Sequence, residues 1–265
     1  MKFMRKTGII LFFICICSLG AQKIDLRIAD ASRSGIPALR ELAFRIALAQ
    51  KLAISVDNVT PDEAKKRLTE GRADLIVLEH GNLPENSRKQ AHLFAAEVFA
   101  VYVHRANPLL DLSREQLRDI LTARRPPWSI CLPEKRTDIH RFGLRDSVPG
   151  YRLGESLLGV DSFAEDIFRS ASTADSLILV SGDPEALGFG VLQRELPANV
   201  RILSIGGVAP DKKNICSGKY LCAWRYYIIG KSVCSPAAQL FLKETGKNSF
   251  SRMLENSGFM PLLKR

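Results

Sequence analysis

Along the first eighty residues, short apolar runs alternate with longer stretches in which apolar positions recur every three or four residues. Residues 24–29 predict a strand. Pro37 then opens a helix whose Leu39, Leu42, Ala43, Ile46 and Leu52 keep near the 3.6-residue period, so that one face can lie on a strand layer. Residues 54–56 predict a second strand. Thr60-Pro61-Asp62-Glu63 combines a capping hydroxyl, a proline where no amide partner is needed and an acid that can return a bond, which predicts a helix ending at Gly71. Residues 73–78 are almost wholly apolar, as befits a strand covered on both faces. Two βα units are thus laid down in sequence.

Further on, residues 98–103 predict a long apolar strand, and Asn107-Pro108 a turn. Ser113 can cap a helix running to Leu121, with Gln116 returning the bond and Leu112 packing on Leu117. The pattern then weakens. Residues 128–132 predict a short strand, 133–154 a long irregular loop, 163–170 a helix and 177–180 a strand. In Gly188-Phe189-Gly190 the glycines mark a close backbone approach. Strands at 201–205 and 224–229 follow, then helices from Ser235-Pro236 to Glu244 and over 250–256.

The N-terminus has a different character. Lys2, Arg5 and Lys6 precede an apolar run from Ile9 to Cys17, with small residues at Ser18 and Gly20. Residues 1–21 therefore predict a secretory signal cleaved near Gly20 or Ala21, with an uncleaved anchor as the alternative. The expected location is periplasmic or otherwise exported. Removing this segment leaves 244 residues, near the upper limit for one hydrophobic core. Four cysteines remain, Cys131, Cys216, Cys222 and Cys234, and an oxidising compartment would permit bridges, including a local one between Cys216 and Cys222 around Gly218, with buried free thiols as the alternative, for Cys131 above all.

The formal charge of +10 becomes +7 once the three basic residues of the signal are set aside. Such a field favours anions. The basic residues are scattered, with no interleaved aromatic stacking platform, which argues against nucleic acid. No GxSxG, HExxH, dinucleotide-binding or phosphate-loop motif is present, so no catalytic residue, cofactor or metal site is predicted.

Several segments carry a family resemblance. Residues 107–128, NPLLDLSREQLRDILTARRPPW, and 207–228, GVAPDKKNICSGKYLCAWRYYI, resemble segments of phosphate-binding-type periplasmic solute-binding proteins. So do ALGFG at 186–190 and the ending FLKETGKNSFSRMLENSGFMPL. The resemblance implies an α/β, two-lobed class II periplasmic-binding-protein-like fold, each lobe a central sheet flanked by helices, with a two-strand hinge. Lobe 1 would comprise residues 22–100 and 206–265, and an inserted lobe 2 residues 101–205. The implied function is capture of a small anionic ligand, phosphate foremost, by a monomer serving the membrane permease of an ABC transporter.

In that family the loop after the first strand holds the ligand, which implies roles for Ser32 and Ser34, while Glu79 matches an acid that accepts a hydrogen bond from a protonated ligand oxygen. In lobe 2, Arg136 takes the place of the family's arginine, and Thr137 and His140 stand nearby. The Ser-Gly-Thr that follows the arginine in phosphate binders is missing. An exported scaffold with the same fold and a degenerate cleft is therefore the alternative.

Overall fold

The structure is a computed structural model that describes residues 24–33, 35–87, 90–146, 150–231 and 233–262. The expected signal segment and Ser34 lie outside the described residues.

The chain begins as its pattern predicts: β1 (Leu26–Asp30), α1 (Pro37–Gln50), β2 (Ile54–Asn58), α2 (Pro61–Thr69) and β3 (Leu75–Glu79). Thr60 Oγ1 accepts from the Glu63 amide as a cap. Strand β1 pairs in parallel with both β2 and β3. The helix α1 buries Leu39, Leu42, Ala43 and Ile46, the apolar stripe of its sequence.

Next comes β4 (His92–His104), thirteen residues long and buried from Phe94 to Val103. Its first half pairs antiparallel with β11, its second half with β8. One strand thus belongs to two sheet halves, and the chain crosses from one lobe to the other within it. Then follow β5 (Asp111–Leu112), α3 (Arg114–Thr122), β6 (His140–Leu144), α4 (Tyr151–Leu158), β7 (Phe168–Ser170), α5 (Thr173–Ser181), β8 (Ala186–Val191), β9 (Val200–Ile202) and β10 (Ser204–Ile205). Helix α3 carries the full capping box between Ser113 and Gln116. The return comprises α6 (Lys212–Ser217), β11 (Ala223–Gly230), α7 (Pro236–Thr245), α8 (Asn248–Asn256) and β12 (Met260–Pro261).

The main sheet runs β2-β1-β3-β11-β4-β8-β6-β7, with β9 and β12 also on β4. Helices cover both faces, and the fold is a two-lobed α/β arrangement in which β4 runs through both half-sheets.

Four local expectations fail. Residues 128–132 form a single 3-10 turn (Trp128–Ile130) that buries Trp128, a packing anchor that an apolar run alone cannot distinguish from a strand. The supposed irregular stretch 133–154 contains β6 and the start of α4. Its strand escapes notice because Arg141 interrupts the apolar pattern. That arginine is buried, donating to the carbonyls of Ile120 and Ala123 and pairing with Asp166 at 2.6 Å. Residues 163–170 end in β7 rather than forming a helix. Residues 177–180 belong to α5, whose buried Leu177 and Val180 lie three apart on one helical face. Of the two states left open for the cysteines, the structure has the free one: Cys131, Cys216, Cys222 and Cys234 are all free thiols.

Candidate functional site

Register decides which strand ends face the crevice between lobes. Glu79 at the end of β3 is level with Tyr226 of β11, which pairs with Ala95 of β4. Beyond that level β4 continues into lobe 2, where Phe99 pairs with Val191 at the C-terminal end of β8 and Val103 with Leu187 near its start. Because β6 runs parallel to β8, its end at Leu144 points toward lobe 1 and its beginning at His140 points away. The C-terminal edges of both half-sheets therefore face each other, the usual place for ligands in open α/β sheets.

On the lobe 1 side, β1 ends in Asp30, which is fully buried. Its Oδ1 accepts from the Ser32 amide at 2.9 Å and the Ser32 hydroxyl at 2.6 Å, and its Oδ2 from the Ile36 amide at 3.0 Å. This carboxylate folds the loop that leads into α1. Ser32 is left with acceptor capacity, because its hydroxyl hydrogen is engaged in the bond to Asp30. Arg33 Nε donates to Glu79 Oε2 at 2.9 Å, and its guanidinium lies 4.4 Å from the centroid of the Trp224 ring. Glu79 is thereby neutralised by a residue of the same lobe.

Between the lobes stand Glu97 of β4 and Tyr226 of β11, both buried. Burial raises the Glu97 pKa to about 7, opposed by a hydrogen bond from the Gly150 amide and by the nearby Tyr226 hydroxyl. Yet neither Glu97 Oε2 nor Tyr226 Oη completes a hydrogen bond of ordinary geometry. Burial drives the Tyr226 pKa far up, with Glu97, Glu79 and Asp30 reinforcing the shift and Arg33 opposing it. Carboxyl, phenol and guanidinium thus share one electrostatic neighbourhood.

On the lobe 2 side, β6 leads into Arg145 and Asp146, and Gly150 caps α4 with φ of 97°. A β-carbon there would lie 2.6 Å from Val191 Cγ2, so the backbone comes closer to β8 than any side chain allows. Arg145 is exposed, with its amide donating to the Ser170 carbonyl at 3.1 Å.

The residues expected to complete the site from lobe 2 are elsewhere. Thr137 Oγ1 donates to Glu185 at 2.8 Å, His140 Nδ1 is 2.6 Å from Asp183 Oδ2, and Arg136 is exposed in the same stretch. Asp183 and Glu185 precede β8, and His140 pairs with Ala186 at its start. At roughly 3.3 Å per strand residue, His140 lies about 16 Å along the strand from Arg145. Arg136, Thr137 and His140 therefore do not converge with Ser32 and Glu79, because they sit at the wrong end of β6.

Whole-chain comparison follows the same architecture. An ABC-type phosphate transport receptor from Vibrio cholerae is 20% identical, covering 89% of this chain and 99% of its own, with a TM-score of 0.61. PstS from Borrelia burgdorferi is 17% identical with a TM-score of 0.69, over 90% of this chain and 99% of its own. A possible phosphate binding protein from Planctomyces limnophilus DSM 3776 is 15% identical with a TM-score of 0.71, over 91% and 94%. This chain has the fold of those proteins. No family model matches it, and no curated protein matches it in sequence.

Three crevice residues escaped the sequence reading. Arg33 stands beside Ser32 in the loop after the first strand, Arg145 lay in the stretch 133–154 expected to be irregular, and Glu97 stood just before the predicted strand. The available signal was a charged residue, Glu97, beside an apolar run with no solvent face to occupy. Among the described residues, no group of three or more His, Cys, Asp or Glu could hold a metal ion, and no helix is long and apolar enough to cross a membrane.

Proposed function

We propose that this protein is an exported solute-binding protein that captures a small oxyanion, phosphate foremost, between its lobes and presents it to an ABC-transporter permease as a monomer in the periplasm. The observation that carries the reading is the facing of the two C-terminal sheet edges. It places the loop entering α1 and the N-terminus of α4 on opposite sides of one crevice. Helix N-termini expose unsatisfied amides that favour anions. Ser32, Ser34 and Arg33 would hold the ligand from lobe 1, and Arg145 would clamp it from lobe 2, replacing Arg136, Thr137 and His140. Arginine suits this task because its planar fork can bond two oxygens of one anion.

Calorimetric titration with phosphate, sulfate and larger phosphorylated or carboxylated solutes tests the ligand class. Small-angle scattering at saturation should show a smaller radius of gyration. Absence of heat with every anion, with the protein folded, would instead favour a scaffold with a degenerate cleft. The missing Ser-Gly-Thr and the engagement of the Gly150 amide by Glu97 give that second reading its support.

A further inference from the structure

We propose that a cavity straddling the two lobes, apart from the crevice, is a second binding site, and that it takes a small organic carboxylate with an apolar body. The cavity has a volume of about 1100 Å³ and lies between the segment that leaves β8 and the end of the chain, where α8 turns into β12. Small-molecule sites usually span roughly 300 to 1,000 Å³, so space does not limit such a ligand. Leu192 and Ile202 wall the cavity from lobe 2, and Phe259 and Met260 from lobe 1. Register explains why both lobes contribute: Met260 of β12 is opposite Ala96 in the first half of β4, and Ile202 of β9 is opposite Tyr102 in the second. The crevice residues Arg33, Glu79, Glu97 and Arg145 do not line it. The site therefore does not depend on the oxyanion reading above.

The charges around these walls select an anion. Among the described residues that line the cavity, Arg194, Lys212 and Arg252 are cations and Glu195 and Glu255 are acids, which leaves the lining net positive. Arg194 Nη1 donates to Glu255 Oε1 at 2.8 Å, so one side is closed by an ion pair between the lobes. Arg252 is exposed on α8, one position after the half-buried Ser251. An inorganic oxyanion would use the cations and leave the apolar walls wet, and a neutral hydrocarbon would do the reverse. A carboxylate on an apolar body uses both. The fork of Arg252 can bond both carboxylate oxygens, and the body removes the walls from water on both sides of β4.

The test is amide-shift mapping of the isotope-labelled full chain by NMR, titrated with phenylbutyrate, with phenylbutanol as the uncharged control and acetate as the control without a body. Phenylbutyrate at millimolar concentration should shift the amides of Gln193, Arg194, Arg252 and Phe259, with both controls binding more weakly. Arg252→Glu should weaken phenylbutyrate by about tenfold or more, the scale of a lost charge-assisted bond, and leave phenylbutanol unchanged. Ser251→Trp, which fills the space from the same helix, should abolish binding of both. One variant reads charge and the other reads volume, so the proposal stays refutable if either fails to fold. Arg33→Ala, a change in the crevice, should leave phenylbutyrate binding as it is. No shift with phenylbutyrate, shifts confined to Ser32, Arg33 and Arg145, or an Arg252→Glu variant that binds as tightly as wild type overturns the assignment. Acetate binding as tightly as phenylbutyrate overturns it too, because the apolar walls would then contribute nothing.

Discussion

Arg33 and Glu79, forty-six residues apart, meet at 2.9 Å across the mouths of β1 and β3, with the guanidinium lying over Trp224. A cation from the first loop thus cancels the acid that a phosphate-binding-type site would turn toward its ligand. Stacking on the indole fixes the guanidinium in the crevice without desolvating it fully. The pair draws Glu79 into the framework.

Removing Arg33 would uncover the Glu79 carboxylate. Arg33→Ala is expected to lower oxyanion affinity by about 2 kcal/mol or more, since an attractive charge is lost and a repulsive one exposed. The Arg33 side chain is half-exposed, so unfolding stability should change by less than about 1 kcal/mol. Calorimetry together with thermal denaturation separates the two effects.

The two candidate arginines of lobe 2 make opposite predictions. Arg145→Ala should weaken oxyanion binding by about 2 to 5 kcal/mol, the range for removing one member of a charge-assisted pair in a closed cleft. Arg136→Ala should leave it within about 0.5 kcal/mol, as for an ordinary surface substitution. Equal losses at both positions in a direct binding assay would reverse the placement argued from the β6–β8 register.

Glu97 should leave a signature in stability. Its folded pKa of about 7 lies above the ordinary value of 4.5, so the native state holds a proton more tightly than the unfolded chain. The contribution is fully present below pH 4.5 and is lost as pH rises through 7. It amounts to about 3 kcal/mol at most. Glu97→Gln should therefore gain stability relative to wild type between pH 5 and 8, measured by denaturant unfolding across that range. A constant difference between the two proteins would mean that Glu97 does not titrate there.

Gly143 of β6 presses against the Phe189 ring, and a methyl group built on it would overlap that ring. Phe189 is itself held by Phe99 and Phe163, at centroid distances of 5.7 and 5.1 Å. With no room to yield, Gly143→Ala should cost about 1 to 3 kcal/mol or more from overpacking. Chemical denaturation would record it as a lower midpoint with an unchanged slope.

How far the sequence reaches differs between the lobes. Before residue 80, capping residues such as Thr60 and the stripe of α1 are local signals, and local signals survive folding because they act within one turn or one strand. The helices after Ser113 and Ser235 were legible for the same reason, as was the apolar second half of β4. In lobe 2 the pattern is interrupted by Arg141, whose burial makes sense only beside Asp166 and two carbonyls from the end of α3. The short apolar run of α5 could be strand or helix until Gly188 and Gly190 admit Val180 and Thr173 against β8. The crevice was the least accessible part. Glu79 and Ser32 could be singled out, but not their engagement by Arg33 and Asp30. Which arginine faces lobe 1 depends on strand direction and register, and those are set by pairing between residues such as Val103 and Leu187, more than eighty positions apart, rather than by either segment alone.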